Sequence, residues 1–236
     1  MSVIKFGTGG WRAIIGDEFT KANIQKLTQA VANLMNSNET TIGYDRRFLS
    51  DLGAQWAAEV FAGNHIKVYF NPKASPTPMT MFTVQQKELE NGLAITASHN
   101  PALYNGIKVF KEGGQDIDSS VIQQIEGELE NISEETIYTK PFHLALEEGL
   151  IEYYNPQNDY IDFLLEKIDQ RKIRDAELNI AIDPMFGVSK TSLSMILNSL
   201  RCEVDIIHDR HDTLFGGKLP SPAAANLQEL SDIVKA

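Results

Sequence analysis

This sequence of 236 residues has one cysteine, no long apolar run and fewer basic than acidic side chains. A single cysteine excludes a disulfide within the chain, so we expect Cys202 to be a small buried apolar side chain in a reducing compartment. No apolar run approaches the roughly 20 residues of a membrane-spanning helix, and no signal peptide opens the sequence. The sequence therefore predicts a cytoplasmic protein with no membrane partner.

The acidic balance excludes a further class of partner. Lys and Arg number 21 against 32 Asp and Glu, the formal net charge is -11, and both halves of the chain are acidic. Nucleic acids attract basic surfaces, so we expect no nucleic-acid partner. Any anion site must then be a small local group of cationic side chains.

Strand and helix patterns alternate along the first half of the chain. This alternation is typical of a mainly parallel sheet covered by helices on both faces. We expect helices that begin after the capping hydroxyls of Thr20 and Ser50. We expect strands at residues 3–6, 41–44, 66–70, 92–96 and 107–110.

The alternation returns in the second half, with strands predicted at residues 178–182 and 204–207 and a last helix at 226–234. A parallel unit that ends on a helix usually needs a further strand beside it. The predicted fold class is therefore α/β, with two tandem α/β/α domains that have mixed, mainly parallel sheets. We expect the first domain at residues 1–150 and an incomplete second domain at residues 151–236.

The segment Thr96-Ala97-Ser98-His99-Asn100-Pro101 begins at the last residue of one of the predicted strands. Asn-Pro, and the Asn105-Gly106 pair that comes next, are turn dipeptides, so we expect the chain to bend on both sides of Ser98. Serine is common in turns, but an exposed hydroxyl at a strand end with histidine and lysine nearby is the arrangement of a nucleophile. Ser98 is therefore the main candidate for covalent chemistry.

Two neighbours of Ser98 could take part in that chemistry. Lys108 begins the next predicted strand and is a candidate acid or base, although a lysine on a strand is more often a solvated edge residue. His99 is adjacent to Ser98 along the chain, so its ring is expected to point elsewhere. It could contact a substrate or phosphate, or form a structural hydrogen bond.

Arginine follows two other predicted strands. The glycine-rich segment Gly7-Thr8-Gly9-Gly10 leads to Arg12, and its backbone N–H groups together with a guanidinium could bind phosphate. That segment matches neither the dinucleotide fingerprint nor the P-loop. Asp45 precedes Arg46 and Arg47, and we expect at least one of these arginines to pair with it.

A serine hydrolase is a weak alternative. The nucleophile elbow of α/β-hydrolases has glycine two residues before and two residues after the serine. Thr96 and Asn100 stand at those positions here.

Several segments together resemble one known family, the α-D-phosphohexomutases (the phosphoglucomutase/phosphomannomutase family). Their order and spacing agree over nearly the whole chain, and the Ser98 segment is the most specific of them. The segments are residues 6–12, 43–47, 96–101, 104–109, 183–187, 215–217 and 220–222.

This resemblance implies a reaction that moves phosphate between the 1- and 6-positions of a hexose. Ser98 would be the phosphoserine, with hexose phosphates as substrates and a hexose 1,6-bisphosphate as the intermediate. Lys108 would be the general acid/base and Arg12 would stabilise the transferring phosphoryl group. His99, Arg47 and Asn100 would support the same site, the last two by binding substrate or phosphate. Mg²⁺ would bridge the Ser98 phosphate.

The sequence departs from the family in one respect. The family binds Mg²⁺ through an Asp-Gly-Asp-x-Asp-Arg loop beyond its second domain, and no such sequence occurs here. Of the metal ligands, Ser98 alone is present. We expect an amino-terminal fragment, inactive by itself, whose partners would be the carboxyl-terminal domains of the same polypeptide.

Two related functions stay open. One is a non-catalytic phosphosugar-binding module, and the other is a phosphopentomutase-like enzyme, because the loop that selects the sugar is absent. Within the family, Thr96 favours a glucose or mannose enzyme over the glucosamine enzyme.

Overall fold

The computed structural model of the protein describes residues 4–7 and 9–235, which form two compact units. The first unit comprises the described residues up to Ser98 together with Leu103–Asn155. The second comprises His99–Ala102 and the described residues from Pro156 onward. Val3 and Thr8, which belong to predicted segments, lie outside the described residues.

A mixed sheet forms the centre of the first unit, in the order β1-β5-β4-β2-β3-β7, with β6 paired to β5. β2 pairs in parallel with β3 and β4, and β7 in parallel with β3, whereas β1, β4 and β6 are antiparallel to β5. The strands are β1 Trp11–Ile14, β2 Glu39–Tyr44, β3 Lys67–Phe70, β4 Asn91–Ile95, β5 Tyr104–Lys111, β6 Gln115–Asp116 and β7 Ile151–Tyr153.

Helices lie on both faces of this sheet. Leu93 and Ile95 of β4 pack in a core with α1, α2 and α4, whereas Ala94 packs in a second cluster with Val84 of α3. Since successive side chains of a strand alternate, these two clusters lie on opposite faces. The helices are α1 Lys21–Leu34, α2 Ser50–Gly63, α3 Thr77–Gln86, α4 Ser119–Asn131 and α5 Phe142–Glu147.

The second unit has a smaller core. β8 Asn179–Ile182 and β9 Glu203–Ile206 pair in parallel, and Ile161, Ile196, Leu200 and Cys202 form the buried cluster beside them. Cys202 is a buried free thiol, as predicted. The helices of this unit are α6 Gln157–Lys167, α7 Gln170–Asp175, α8 Ser189–Ser199 and α9 Gln228–Lys235. The predicted class, a mixed and mainly parallel α/β chain, is confirmed.

The predicted helix start at Thr20 is confirmed, because its hydroxyl accepts the N–H of Asn23 at 3.3 Å. The predicted cap at Ser50 is wrong. Ser50 is the first residue of α2, and its hydroxyl donates to Asp45 instead of accepting a helix N–H. Within the described residues, no helix has both the length and the apolar character to cross a membrane.

Two further predictions about strands and turns are wrong. The described residues of the predicted strand at 3–6 are irregular, and the first strand begins at Trp11. Asn105 and Gly106 lie inside β5 and not in a turn. A Cβ on Gly106 would come within 2.1 Å of the Trp11 carbonyl oxygen, so glycine allows β1 and β5 to pair closely.

Candidate active site

The candidate site lies where the neighbouring parallel strands β2 and β4 end. Tyr44 and Ile95 are register partners at the ends of these strands, so Asp45 and Thr96 leave the sheet side by side. In open α/β sheets this carboxyl edge is where ligands bind.

Ser98 is exposed in the turn that follows β4. Its φ is +53°, in the left-handed region that costs energy for a residue other than glycine. Nη2 of Arg12 lies 3.4 Å from its Oγ. A guanidinium donates hydrogen bonds and does not accept a proton, so this contact suits an anion attached to Oγ better than activation of a free serine.

The two peptide groups of Ser98 are both hydrogen-bonded. Its N–H donates to Oγ1 of Thr96 at 2.9 Å. Its carbonyl oxygen accepts from Nη2 of Arg47 at 2.7 Å, and Nη1 of Arg47 donates to the Tyr104 carbonyl at 3.0 Å. The unusual backbone of Ser98 is therefore held from both sides.

Asp45 contacts both residues that hold the Ser98 backbone, Thr96 and Arg47. Its Oδ2 accepts the Thr96 hydroxyl at 2.6 Å and lies 3.5 Å from Nε of Arg47, which confirms the predicted ion pair. Its Oδ1 accepts the Ser50 hydroxyl at 2.7 Å and the Arg47 N–H at 2.9 Å. Burial raises the pKa of Asp45, and the hydrogen bonds from Thr96, Ser50 and Arg47 oppose that rise.

Arg47 is the most buried cation of this group, with a side chain that is 1% exposed. Burial lowers its pKa, the Asp45 charge raises it, and the positive charge of Arg12 lowers it again. An arginine stays charged under such shifts because its ordinary pKa is so high. Arg12 and Arg47 therefore place two positive charges beside Ser98.

Lys108 lies on β5, where its side chain is 19% exposed and its Nζ is 4.0 Å from Oδ1 of Asp116. The glycine-rich turn packs against it, since a Cβ on Gly9 would lie 3.9 Å from Nζ. Arg12 is the register partner of Gly106, two residues before Lys108. Arg12 and Lys108 thus lie on the same face of the sheet.

The two remaining predicted site residues belong to the second unit. His99 is exposed and Asn100 is half-buried, within the short segment His99–Ala102. The structure thus brings Ser98, Arg12 and Arg47 into contact and places Lys108 on the Arg12 face of the same sheet.

Sequence reasoning missed that Asp45 accepts from the hydroxyls of Thr96 and Ser50, and that Thr96 accepts the N–H of Ser98. Thr96 is 51 residues from Asp45 in the chain, so local patterns say nothing about their contact. The available signal was weaker: Asp45 directly follows one predicted strand, and Thr96 is the last residue of another predicted strand of the same parallel sheet.

The described residues do not fit a complete magnesium site. They contain no group of three or more His, Cys, Asp or Glu side chains that could hold a metal ion. The carboxylate nearest to Ser98 in the hydrogen-bond network, Asp45, already accepts from donors on both oxygens.

Two family models match the chain. The one described as phosphoglucomutase/phosphomannomutase, alpha/beta/alpha domain I, matches residues 3–136. The corresponding domain II model matches residues 158–236.

Curated relatives carry mutase names. A phosphoglucosamine/phosphogalactosamine mutase of Sulfurisphaera tokodaii is 29% identical over 98% of this chain and 50% of its own length. A phosphoglucomutase of Staphylococcus saprophyticus is 28% identical over 96% of this chain and 42% of its own length. The chain thus spans about half the length of the curated relatives it matches.

A solved structure shares the fold. The crystal structure of a putative phosphomannomutase from Thermus thermophilus is 26% identical, with a TM-score of 0.88. The match covers 99% of this chain and 52% of that one.

Proposed function

The chain belongs to the phosphoglucomutase/phosphomannomutase family, and on that basis we propose that Ser98 carries the phosphoryl group in the interconversion of hexose 1-phosphate and hexose 6-phosphate. The observation that most supports this proposal is the environment of the Ser98 hydroxyl. The serine is exposed, its backbone is held in a left-handed conformation, and Arg12 donates to its hydroxyl at 3.4 Å.

The proposed transfer step needs few protein groups. The bond between phosphorus and Ser98 Oγ breaks, a bond forms to a sugar hydroxyl, and the hydroxyl proton leaves the sugar. Lys108 takes that proton, and the leaving Oγ of Ser98, which is exposed, takes one from water. In the reverse transfer Lys108 returns its proton to the leaving sugar oxygen, and the Ser98 hydroxyl releases its proton to water. Arg12 neutralises charge on the transferring group, which is mostly an electrostatic task.

Arg47 has a different part in this proposal. Its guanidinium donates to the carbonyl oxygens of Ser98 and Tyr104 and pairs with Asp45, so Arg47 positions the serine. We keep phosphate binding by Arg47 and Asn100, and substrate contact by His99, as predictions of the family resemblance.

The substrates proposed are hexose phosphates and a hexose 1,6-bisphosphate. The relatives include both a glucosamine-type and a glucose-type mutase, so the preference for glucose or mannose that Thr96 suggests stays a prediction. The cytoplasmic location, the magnesium dependence, a pentose-phosphate preference and the domain division at residues 150 and 151 likewise stay predictions.

The proposal is tested by incubating the chain with glucose 1,6-bisphosphate and mapping the phosphorylated peptide by mass spectrometry. We expect phosphate on Ser98 and none in Ser98→Ala. Ser119→Ala is the matched control, because Ser119 is also exposed but begins helix α4. A bare Ser98 would contradict phosphoryl acceptance and would leave a phosphosugar-binding module, which equilibrium binding of glucose 1-phosphate would reveal.

Catalytic turnover is a separate expectation. The relatives are about twice as long as this chain, and we propose that the chain alone has no mutase turnover. The check is the rate of glucose 6-phosphate formation from glucose 1-phosphate with Mg²⁺. A rate close to that of a full-length relative would contradict the expectation.

A further inference from the structure

Both ends of the segment that carries Ser98 are tied to the turn after β2. At its start, Thr96 donates to Asp45 at 2.6 Å. At its end, the Tyr104 carbonyl accepts from Arg47 at 3.0 Å, and Nδ2 of Asn105 donates to Oγ of Ser50 at 2.9 Å. Arg47 and Ser50 both contact the carboxylate of Asp45 in turn.

The direction of each hydrogen bond follows from the number of protons available. The hydroxyls of Thr96 and Ser50 have one proton each, and each oxygen accepts an N–H, from Ser98 and from Asn105 respectively. Their own protons are therefore directed at Asp45. Every described partner of the Asp45 carboxylate is then a donor, an arrangement that suits an ionised carboxylate.

Such a network fixes an orientation that Thr96 alone would not keep. A threonine hydroxyl can donate or accept, and it rotates to suit its surroundings. Because the proton is drawn to Asp45, a lone pair of Oγ1 is left facing the Ser98 N–H. The same carboxylate holds Arg47, whose Nη2 binds the Ser98 carbonyl.

We propose that Asp45 is a positioning residue of the nucleophile: through Thr96 and Arg47 it fixes the peptide groups on both sides of Ser98 and holds the serine in its left-handed conformation, with Oγ toward Arg12. This inference rests on the proposed function, in which Ser98 is the phosphoryl acceptor. Asp45 itself contacts neither Oγ nor substrate in this account. It acts through the backbone of Ser98.

The substitution Asp45→Asn separates charge from shape. An asparagine of the same size would present an N–H₂ group to partners that are all donors. The Thr96 hydroxyl would then rotate so that its proton points toward Ser98, and the Ser98 N–H would lose its acceptor. We expect the Ser98 amide to exchange with solvent at least about tenfold faster, because the Thr96 acceptor and the Arg47 bond to the Ser98 carbonyl both depend on the Asp45 carboxylate. In a crystal structure of the variant, Ser98 should leave the left-handed region.

Two variants of Thr96 test the proposal even if Asp45→Asn does not fold. Thr96→Val keeps the shape of the side chain and removes the acceptor, and we expect about fivefold faster exchange at Ser98 for the loss of one neutral hydrogen bond. Thr96→Ser keeps the hydroxyl and should restore the exchange rate. Asp51→Asn is the charge-matched control, because Asp51 is exposed on α2 and its carboxylate accepts the N–H of Leu52.

Exchange is measured by NMR, residue by residue, with the Ile107 amide of β5 as internal reference for general loosening of the fold. Faster exchange at Ser98 relative to Ile107 in Asp45→Asn and Thr96→Val supports the proposal. Unchanged exchange at Ser98, together with a left-handed Ser98 in the crystal structure of either variant, would overturn it. These measurements need no phosphoryl transfer, so a bare wild-type Ser98 would overturn the proposed function alone.

Discussion

Asp45 and Asp183 follow parallel strands in the two units and form the same local turn. Asp45 follows β2 and accepts the N–H of Arg47 at 2.9 Å, and Asp183 follows β8 and accepts the N–H of Met185 at 2.8 Å. In each case the residue two positions later donates to Oδ1, as in an Asx turn. The local sequence thus places both aspartates in the same kind of turn after a strand.

Their second oxygens have different partners. Oδ2 of Asp45 accepts from Thr96, which leads to an exposed serine. Oδ2 of Asp183 lies 2.9 Å from Nδ1 of His208, whose ring is 5.0 Å from that of Phe186. Phe186 covers Gly216, where a Cβ would come within 2.8 Å of the ring.

The difference shows how one turn can support either chemistry or packing. Around Asp45, the hydrogen bonds lead to the backbone of Ser98, whose side chain is exposed. Around Asp183, whose side chain is 2% exposed, they lead to His208, which packs against the buried ring of Phe186 and contacts Glu229 through Nε2 at 3.2 Å. The functional character therefore depends on the long-range partner and not on the turn itself.

The largest effect on stability should come from Phe186→Ala, which removes the aromatic ring that packs against His208 and Gly216. Phe186 is 6% exposed, and removing a buried phenylalanine costs about 3–5 kcal/mol. We expect a loss of this size in the free energy of unfolding of the second unit, measured by urea denaturation. Ser98 amide exchange should not change. A change at Ser98 as large as that in Asp45→Asn would contradict the distinction.

The same substitution at both aspartates sharpens the comparison. Asp45→Asn should lower the free energy of unfolding by about 2 kcal/mol, and Asp183→Asn by about 1 kcal/mol, because Asp45 accepts more charge-assisted hydrogen bonds. Urea denaturation of both variants checks the order of the two losses. Faster exchange at Ser98 is expected in the Asp45 variant alone, and its appearance in Asp183→Asn would show that the two turns do not differ in this way.

A smaller effect is expected from pH. Burial raises the pKa of Asp45 in the folded chain above its ordinary value of 3.8, so the folded chain binds the proton first as pH falls. Protonation therefore favours the folded state between the raised pKa and 3.8, by about 1.4 kcal/mol for each unit of separation. The amide side chain of the Asp45→Asn variant cannot titrate. The wild type should gain stability relative to this variant as pH falls through the window, and a relative loss would indicate a lowered pKa.

Local rules predicted the elements well where the deciding contact is local. Thr20 caps α1 through a residue three positions away, and strands β2, β3 and β4 lie where the apolar patterns predicted them. Ser50 shows the limit of such rules, because its hydroxyl binds Asp45 and leaves α2 without a side-chain cap. Asn105-Gly106 shows it again, since a typical turn pair serves a close strand contact with Trp11.

The candidate residues of the site could be proposed from the sequence, but the hydrogen bonds that hold Ser98 in place could not. Ser98, Arg12, Arg47 and Lys108 were identified by type, by position at strand ends and by family resemblance. The role of Thr96 toward Ser98 could not be predicted, because it depends on the hydroxyl orientation that Asp45 imposes from another strand. Such orientation follows from three-dimensional contacts alone.

The most direct test of this account is the rate at which glucose 1,6-bisphosphate phosphorylates Ser98 in the wild type, in Asp45→Asn and in Asp183→Asn, followed by peptide mapping. The account predicts phosphate on Ser98 in the wild type and in Asp183→Asn at similar rates, and at least about tenfold slower modification in Asp45→Asn. A bare Ser98 in the wild type, or equal rates in the two variants, would contradict it.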